Sequence, residues 1–292
     1  MKKFILFIAK ILGLLLLLLC LLDLVFTQVY LHDSDRNKTN AIYNSEKKNF
    51  DVIFLGSSRA NNHFIPAIFE KEGLKTFNYG VSGSHLYETA LMLELMLERE
   101  YQIKNVIIQI DLNIGGDQQP SPKHTAQFLP FIHHSKTIAN YLSDQPDYYA
   151  WYYVPFYRYI EYGEVIGFRE CWDTFRKKPS NLMHHGGFYE LKGVGKNMKN
   201  NLTGLVANRN ESYEKIKALC QKNNIRLIAV TTPICENTKN REYFDEVTKV
   251  YPEIQRYDTV VKDDRYFTTC GHMNINGATI LTKKLLKDYF NK

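Results

Sequence analysis

After Met1-Lys2-Lys3 the chain is apolar from Phe4 to Tyr30, interrupted only by Lys10, Asp23, Thr27 and Gln28. As a helix this run is long enough for a bilayer core, which takes ~20 mostly apolar residues. Lys2 and Lys3 lie on its amino side, and Lys10 is long enough to snorkel, so the pattern predicts a cytoplasmic amino terminus with the rest of the chain outside. No small-x-small cleavage site follows, and Leu18 and Leu19 are too bulky for a lipoprotein box before Cys20. Residues 1–30 therefore read as an uncleaved signal-anchor rather than a signal peptide. Residues 31–49 are polar and lack periodicity, as expected of a linker to a domain over 51–292.

From Asp51 the pattern alternates between short apolar runs and amphipathic stretches. Asp51–Leu55, Lys75–Tyr79, Asn105–Leu112 and Ile225–Pro233 read as strands, and "NVIIQIDL" is apolar enough to be covered on both faces. Helices are expected over Pro66–Glu72, Leu86–Glu100, Glu211–Asn223 and Asn276–Phe290, with a short edge strand at Arg256–Val260. Such alternation predicts an α/β domain with a parallel sheet between helical layers. It is interrupted at about 115–210 by a segment that includes the tyrosine-dense "PDYYAWYYVPFYRYIEYGEVIGF" (Pro146 to Phe168). A structureless loop of that length is uncommon, so a helical insert is expected. Its aromatics are expected first to pack the insert onto the domain, with sugar stacking or a membrane surface as the functional alternatives.

The net charge of +6 over 292 residues is modest, with no dense basic block, which removes nucleic acid as a partner. Cys171, Cys220, Cys235 and Cys270 are available for pairing outside the cytoplasm or for burial as thiols, and the sequence does not choose between the two. None has CxxC spacing, so no metal site is expected. Sequons stand at Asn37, Asn201 and Asn210.

The chemistry gathers where strands end. Gly56-Ser57-Ser58 follows the first strand, "NYGVSGS" (Asn78 to Ser84) the second, and "DLN" (Asp111 to Asn113) the third, while "TTCGHMNINGA" (Thr268 to Ala278) comes near the carboxyl end. In a parallel sheet these loops emerge at one edge, where open α/β folds bind ligands. They bring a hydroxyl, a glycine amide, a carboxamide and an imidazole, the parts acyl transfer requires. "GSSRANN" lacks the spacing of a phosphate-binding loop or a dinucleotide fingerprint, so no nucleotide cofactor is expected.

In these four blocks the sequence resembles the SGNH/GDSL hydrolase superfamily. The resemblance implies a three-layer α/β/α sandwich of flavodoxin-like type. It implies Ser58 as nucleophile, His272 as base, and an oxyanion hole from Ser58, Gly83 and Asn113, with no cofactor. Serine in place of the family's usual aspartate at position 57 also occurs in membrane-anchored members that handle envelope acyl groups. Arg59, His184 and His185 are candidate substrate contacts. One departure stands out: the family's orienting aspartate, three residues before the histidine, is here Thr269. A backbone carbonyl of the 263–269 loop, or the carboxylate of Asp263 or Asp264, is expected to take over that role.

Two functions follow. The first is a membrane-anchored serine esterase or O-acyltransferase acting on an acylated envelope glycan. The second is a silent relative that binds glycan or scaffolds an envelope-assembly partner.

Overall fold

A computed structural model of the protein describes all residues except 34–35, 116–118 and 291–292. In chain order come α1 (Lys2–Leu31), α2 (Lys38–Asn44), β1 (Asn49–Leu55), α3 (Ser58–His63), α4 (Pro66–Glu70), β2 (Thr76–Asn78), α5 (Leu86–Glu98) and β3 (Gln102–Gln109). The insert holds α6 (Pro122–Thr125), α7 (Lys136–Leu142), α8 (Tyr148–Tyr153), α9 (Tyr157–Glu161), α10 (Gly163–Ile166) and α11 (Phe168–Phe175). Then follow β4 (Asn200–Asn201), α12 (Glu211–Lys222), β5 (Arg226–Val230), β6 (Thr238–Lys239), α13 (Tyr243–Val250), β7 (Phe267–Thr269), β8 (His272–Met273) and α14 (Ile275–Phe290). Contacts divide the described chain into two units, residues 1–45 with 122–179, and residues 46–121 with 180–292.

The second unit is an α/β domain on a parallel sheet in the order β2-β1-β3-β5. Alternate strand residues face opposite ways. Val52, Phe54, Ile107, Ile228 and Val230 share one core with Phe64 of the segment after α3, Phe69 of α4, and Leu281 and Leu285 of α14. Ile53, Leu55, Val106 and Ile108 point to the other face and are also fully buried. Helices α5 and α12 pack together as a separate pair, so the sheet lies between helical layers. The expected edge strand at Arg256–Val260 is reduced to a single parallel bridge, Val230 to Gln255. Beyond it the Thr231 hydroxyl accepts the Tyr257 and Asp258 amides at 2.9 and 3.2 Å, so a side chain replaces the ladder there.

Two details of this unit differ from simple expectation. Asn210, one of the sequons, is buried and caps α12 by accepting the Tyr213 amide at 3.1 Å. Of the cysteines, Cys235 and Cys270 form a disulfide, while Cys171 (in the first unit) and Cys220 are free and buried.

In the first unit α1 is long and apolar enough to cross a bilayer. Its polar residues Asp23 and Thr27 are taken up by the insert. Arg158 Nη2 donates to Asp23 Oδ1 at 2.9 Å and to Thr27 Oγ1 at 3.0 Å, and the Phe156 amide donates to Asp23 Oδ2 at 2.7 Å. Phe26 is edge-on to Phe156 at 4.8 Å, and the Tyr30 hydroxyl donates to the Ile166 carbonyl at 2.9 Å. Residues 38–44 of the expected linker form α2, with Ile42 buried and Tyr43 stacked on Phe131 at 4.3 Å; residues 34 and 35 lie outside the described residues.

Candidate active site

β1 ends at Leu55 and the chain turns at Gly56, whose φ of +131° lies outside the range of ordinary side chains. A Cβ there would come within 2.9 Å of the Gln109 side-chain oxygen, so glycine also lets that side chain approach. Ser57 is fastened to it: its amide and hydroxyl donate to Gln109 Oε1 at 3.0 and 2.9 Å. With Ser57 held inward as the residue before α3, Ser58 opens the helix and faces an open cavity of about 340 Å³.

Ser58 Oγ lies 2.8 Å from His272 Nε2, and Thr269 Oγ1 lies 3.0 Å from His272 Nδ1. With the ring proton on Nδ1, the imidazole donates to Thr269 and accepts from Ser58. The expectation that something other than residue 269 orients the ring is therefore corrected. A threonine hydroxyl reaches the same ring nitrogen an aspartate would. Asp263 instead accepts the Arg265 amide at 2.9 Å, and Asp264 the Glu236 amide at 3.2 Å.

The histidine turn is fixed from three directions. β7 and β8 pair antiparallel, with Thr269 opposite His272. Cys270, between them, is cross-linked to Cys235, and the Cys235 amide donates to the Cys270 carbonyl at 3.0 Å. The buried His63 accepts the Met273 amide on Nε2 at 3.0 Å, and burial holds its imidazole well below the usual value, hence neutral.

Gly83 and Asn113 line the same cavity. Gly83 has φ +84°, a turn conformation that favours glycine. The side-chain oxygen of Asn113 is occupied, accepting the Asp111 amide at 3.1 Å and Gln109 Nε2 at 3.4 Å. Its Nδ2 is buried without a hydrogen-bond partner.

Beneath the cavity lies a buried polar network. Asp111 accepts Gln109 Nε2 at 2.5 Å, the Leu112 amide at 2.6 Å, and the Thr232 amide and hydroxyl at 3.0 Å each. Its Oδ1 is also 3.5 Å from Arg59 Nη1, and Arg59 Nη2 donates to the carbonyls of Thr232 and Pro233. Arg59 thus borders the cavity with Nη2 turned inward to those carbonyls, while its Nε and Nη1 are buried without a hydrogen-bond partner. His184 and His185 are exposed on a turn that packs near α4 and β2, and neither lines the cavity. Gln109 and His63 were not singled out in the sequence. The available signal for Gln109 was an amide inside an otherwise apolar strand, since buried polar groups require partners.

Burial pushes the His272 imidazole below its usual value, the Arg59 charge adds to this, and Asp111 opposes it. The ring is therefore neutral at pH 7 and protonates only as pH falls below about 6.5. Monitored by imidazole NMR, His272 should titrate below that value in the wild type. Thr269→Asp places a carboxylate beside the imidazolium and should raise the midpoint by roughly one pH unit. An unchanged midpoint would mean that residue 269 does not face the ring.

No family model and no curated protein matches the chain. Among solved structures, it is similar to a protein from Streptococcus pneumonia provisionally named a platelet activating factor. Identity is 14%, coverage is 97% of this chain and 98% of that one, and the TM-score is 0.34. At that score the likeness carries no argument, and the chemistry has to be read from the site itself.

Proposed function

We propose that this site performs serine-dependent acyl transfer of the SGNH/GDSL type, as an esterase or O-acyltransferase. The observation that carries the reading is the chain Thr269–His272–Ser58 at a cavity that Asn113, with its unpartnered Nδ2, also lines. A neutral His272 Nε2 takes the Ser58 hydroxyl proton as Oγ attacks the ester carbonyl carbon. The oxyanion that forms is received by Asn113 Nδ2 and the Ser58 and Gly83 amides. Collapse expels the alcohol, which leaves with the proton from His272, and Ser58 remains acylated. Water or a sugar hydroxyl then gives its proton to His272 and attacks the acyl carbon, and collapse returns the proton to Ser58. The two acceptors define hydrolysis and transfer, and the site serves either. Its modest volume, with Leu112 in the lining, suits a small acyl group such as acetyl.

α1 gives the setting. As an uncleaved signal-anchor with Lys2 and Lys3 on the cytoplasmic side, it leaves the α/β unit outside the cytoplasm, where acylated envelope polysaccharide is the substrate in reach. The test is covalent. A fluorophosphonate should label the full-length protein on the Ser58 peptide, and Ser58→Ala should remove the label. A wild-type protein that stays unlabelled would instead favour a silent glycan-binding or scaffold relative, and label on Ser57 would move the nucleophile.

A further inference from the structure

Helix α11 wears its side chains inside out for a helix in water. Phe168, Trp172 and Phe175 stand at i, i+4 and i+7, hence on one face, and they are 67%, 56% and 64% exposed. The other side of the helix carries Asp173 and Thr174, both buried, and the half-buried Glu170, with the buried Cys171 on the flank. That polar face is held in place. Arg36 Nε and Nη2 donate to the two Glu170 oxygens at 2.9 and 2.8 Å, and Asp173 accepts Arg176 at 3.1 Å and Lys178 at 2.9 Å. Rolling the aromatics inward would break these pairs, so the exposed apolar face is a built feature of the helix. Such a face marks an interaction surface.

α1 indicates which surface. Phe4 to Val25 spans about 33 Å at ~1.5 Å per residue, close to the ~30 Å hydrocarbon core of a bilayer. Leu22 and Asp23 are already half-buried, and full burial of α1 inside the protein begins at Phe26. There the Phe168 ring meets Phe26 edge-on at 4.9 Å, within one turn of the exposed Leu24 and Val25. The apolar face of α11 is thus joined to α1 at the level where the span leaves the hydrocarbon. Arg169 and Lys177 are exposed around it as cations suited to lipid phosphates, beside Arg176 and Lys178, which are exposed but paired with Asp173.

We propose that α11 is an interfacial helix whose Phe168, Trp172 and Phe175 lie in the headgroup–acyl boundary of the bilayer that α1 crosses, with phospholipid as their occupant. The inference rests on reading α1 as a membrane span and is independent of the chemistry at Ser58. Full-length protein in phosphatidylcholine–phosphatidylglycerol vesicles provides the test, with the difference in emission between wild type and Trp172→Phe isolating Trp172 from the buried Trp151. Lipids brominated high on the acyl chain should remove about half of that difference signal or more, and deeply brominated lipids less. The double variant Phe168→Ser/Phe175→Ser should reduce the quenching. If the protein floats with the vesicles while Trp172 is unquenched and open to aqueous iodide, the inference is overturned, and a protein partner becomes the occupant of that face. Failure to float overturns the membrane span itself and the inference with it.

Discussion

Ser58→Ala and His272→Ala should each lower turnover of a small acetyl ester by at least ~10³-fold, and by as much as ~10⁶-fold, with the fold intact. The two side chains act as one unit across 2.8 Å, so the double variant should be little worse than either single one. Neither substitution adds volume, and His272 is only partly buried, so circular dichroism and unfolding midpoints should stay near wild type. The effect would belong to chemistry because, in the proposed reaction, the hydroxyl is the group acylated and the imidazole carries the proton between steps. Purified full-length protein with an acetyl ester gives the measurement. Activity that survives Ser58→Ala would mean another nucleophile does the work.

Asp111→Ala should cost stability rather than chemistry alone, by about 3–5 kcal/mol, the usual consequence of removing one member of a buried ion pair. Asp111 is fully buried, and besides facing Arg59 it accepts donors from Gln109, Leu112 and Thr232. With the carboxylate gone, a buried guanidinium and several N–H and O–H groups lose their acceptor together. The loss should show as a lower midpoint in urea at unchanged slope. Asp111→Asn keeps one oxygen acceptor and should recover part of it. A midpoint equal to wild type in Asp111→Ala would show that Arg59 does not depend on this carboxylate. Activity should also fall, because the Asp111 carboxylate fixes Gln109 Nε2, one of the two donors that hold the oxygen of Asn113.

Much of the α/β unit was legible because its strands are apolar runs with few other conformations open to them. Val52–Leu55 and Val106–Ile108 are buried on both faces, and a continuous apolar run states that directly. The convergence of Ser58, Gly83, Asn113 and His272 was legible for the same reason, since strand ends in a parallel sheet share an edge. Residue 269 was misread because reach is three-dimensional. Whether a hydroxyl just before a hairpin bend meets a ring nitrogen just after it depends on the β7–β8 pairing, which residue types alone do not set. The bonds of Arg59 were not legible either: the acceptors of its Nη2 are carbonyls just past the end of β5, far along the chain. The dense aromatics of the insert did not disclose their partner either. Phe156 and Tyr159 pack on Phe26 of α1, a contact that periodicity within the insert cannot encode.

The distance along the chain between the two reacting atoms carries a consequence for how the protein comes into being. Ser58 and His272 are 214 positions apart, and α14, which packs on α3, follows the histidine directly. Contacts so distant form late and slowly, because the closure entropy of the intervening chain is lost before they return any stabilisation. A ribosome building this polypeptide from its amino end therefore makes Ser58 early and leaves it without its proton acceptor until the final segments have arrived. On the proposed chemistry, the nascent chain is expected to be inert towards esters throughout synthesis, with reactivity appearing as one of the last events of folding.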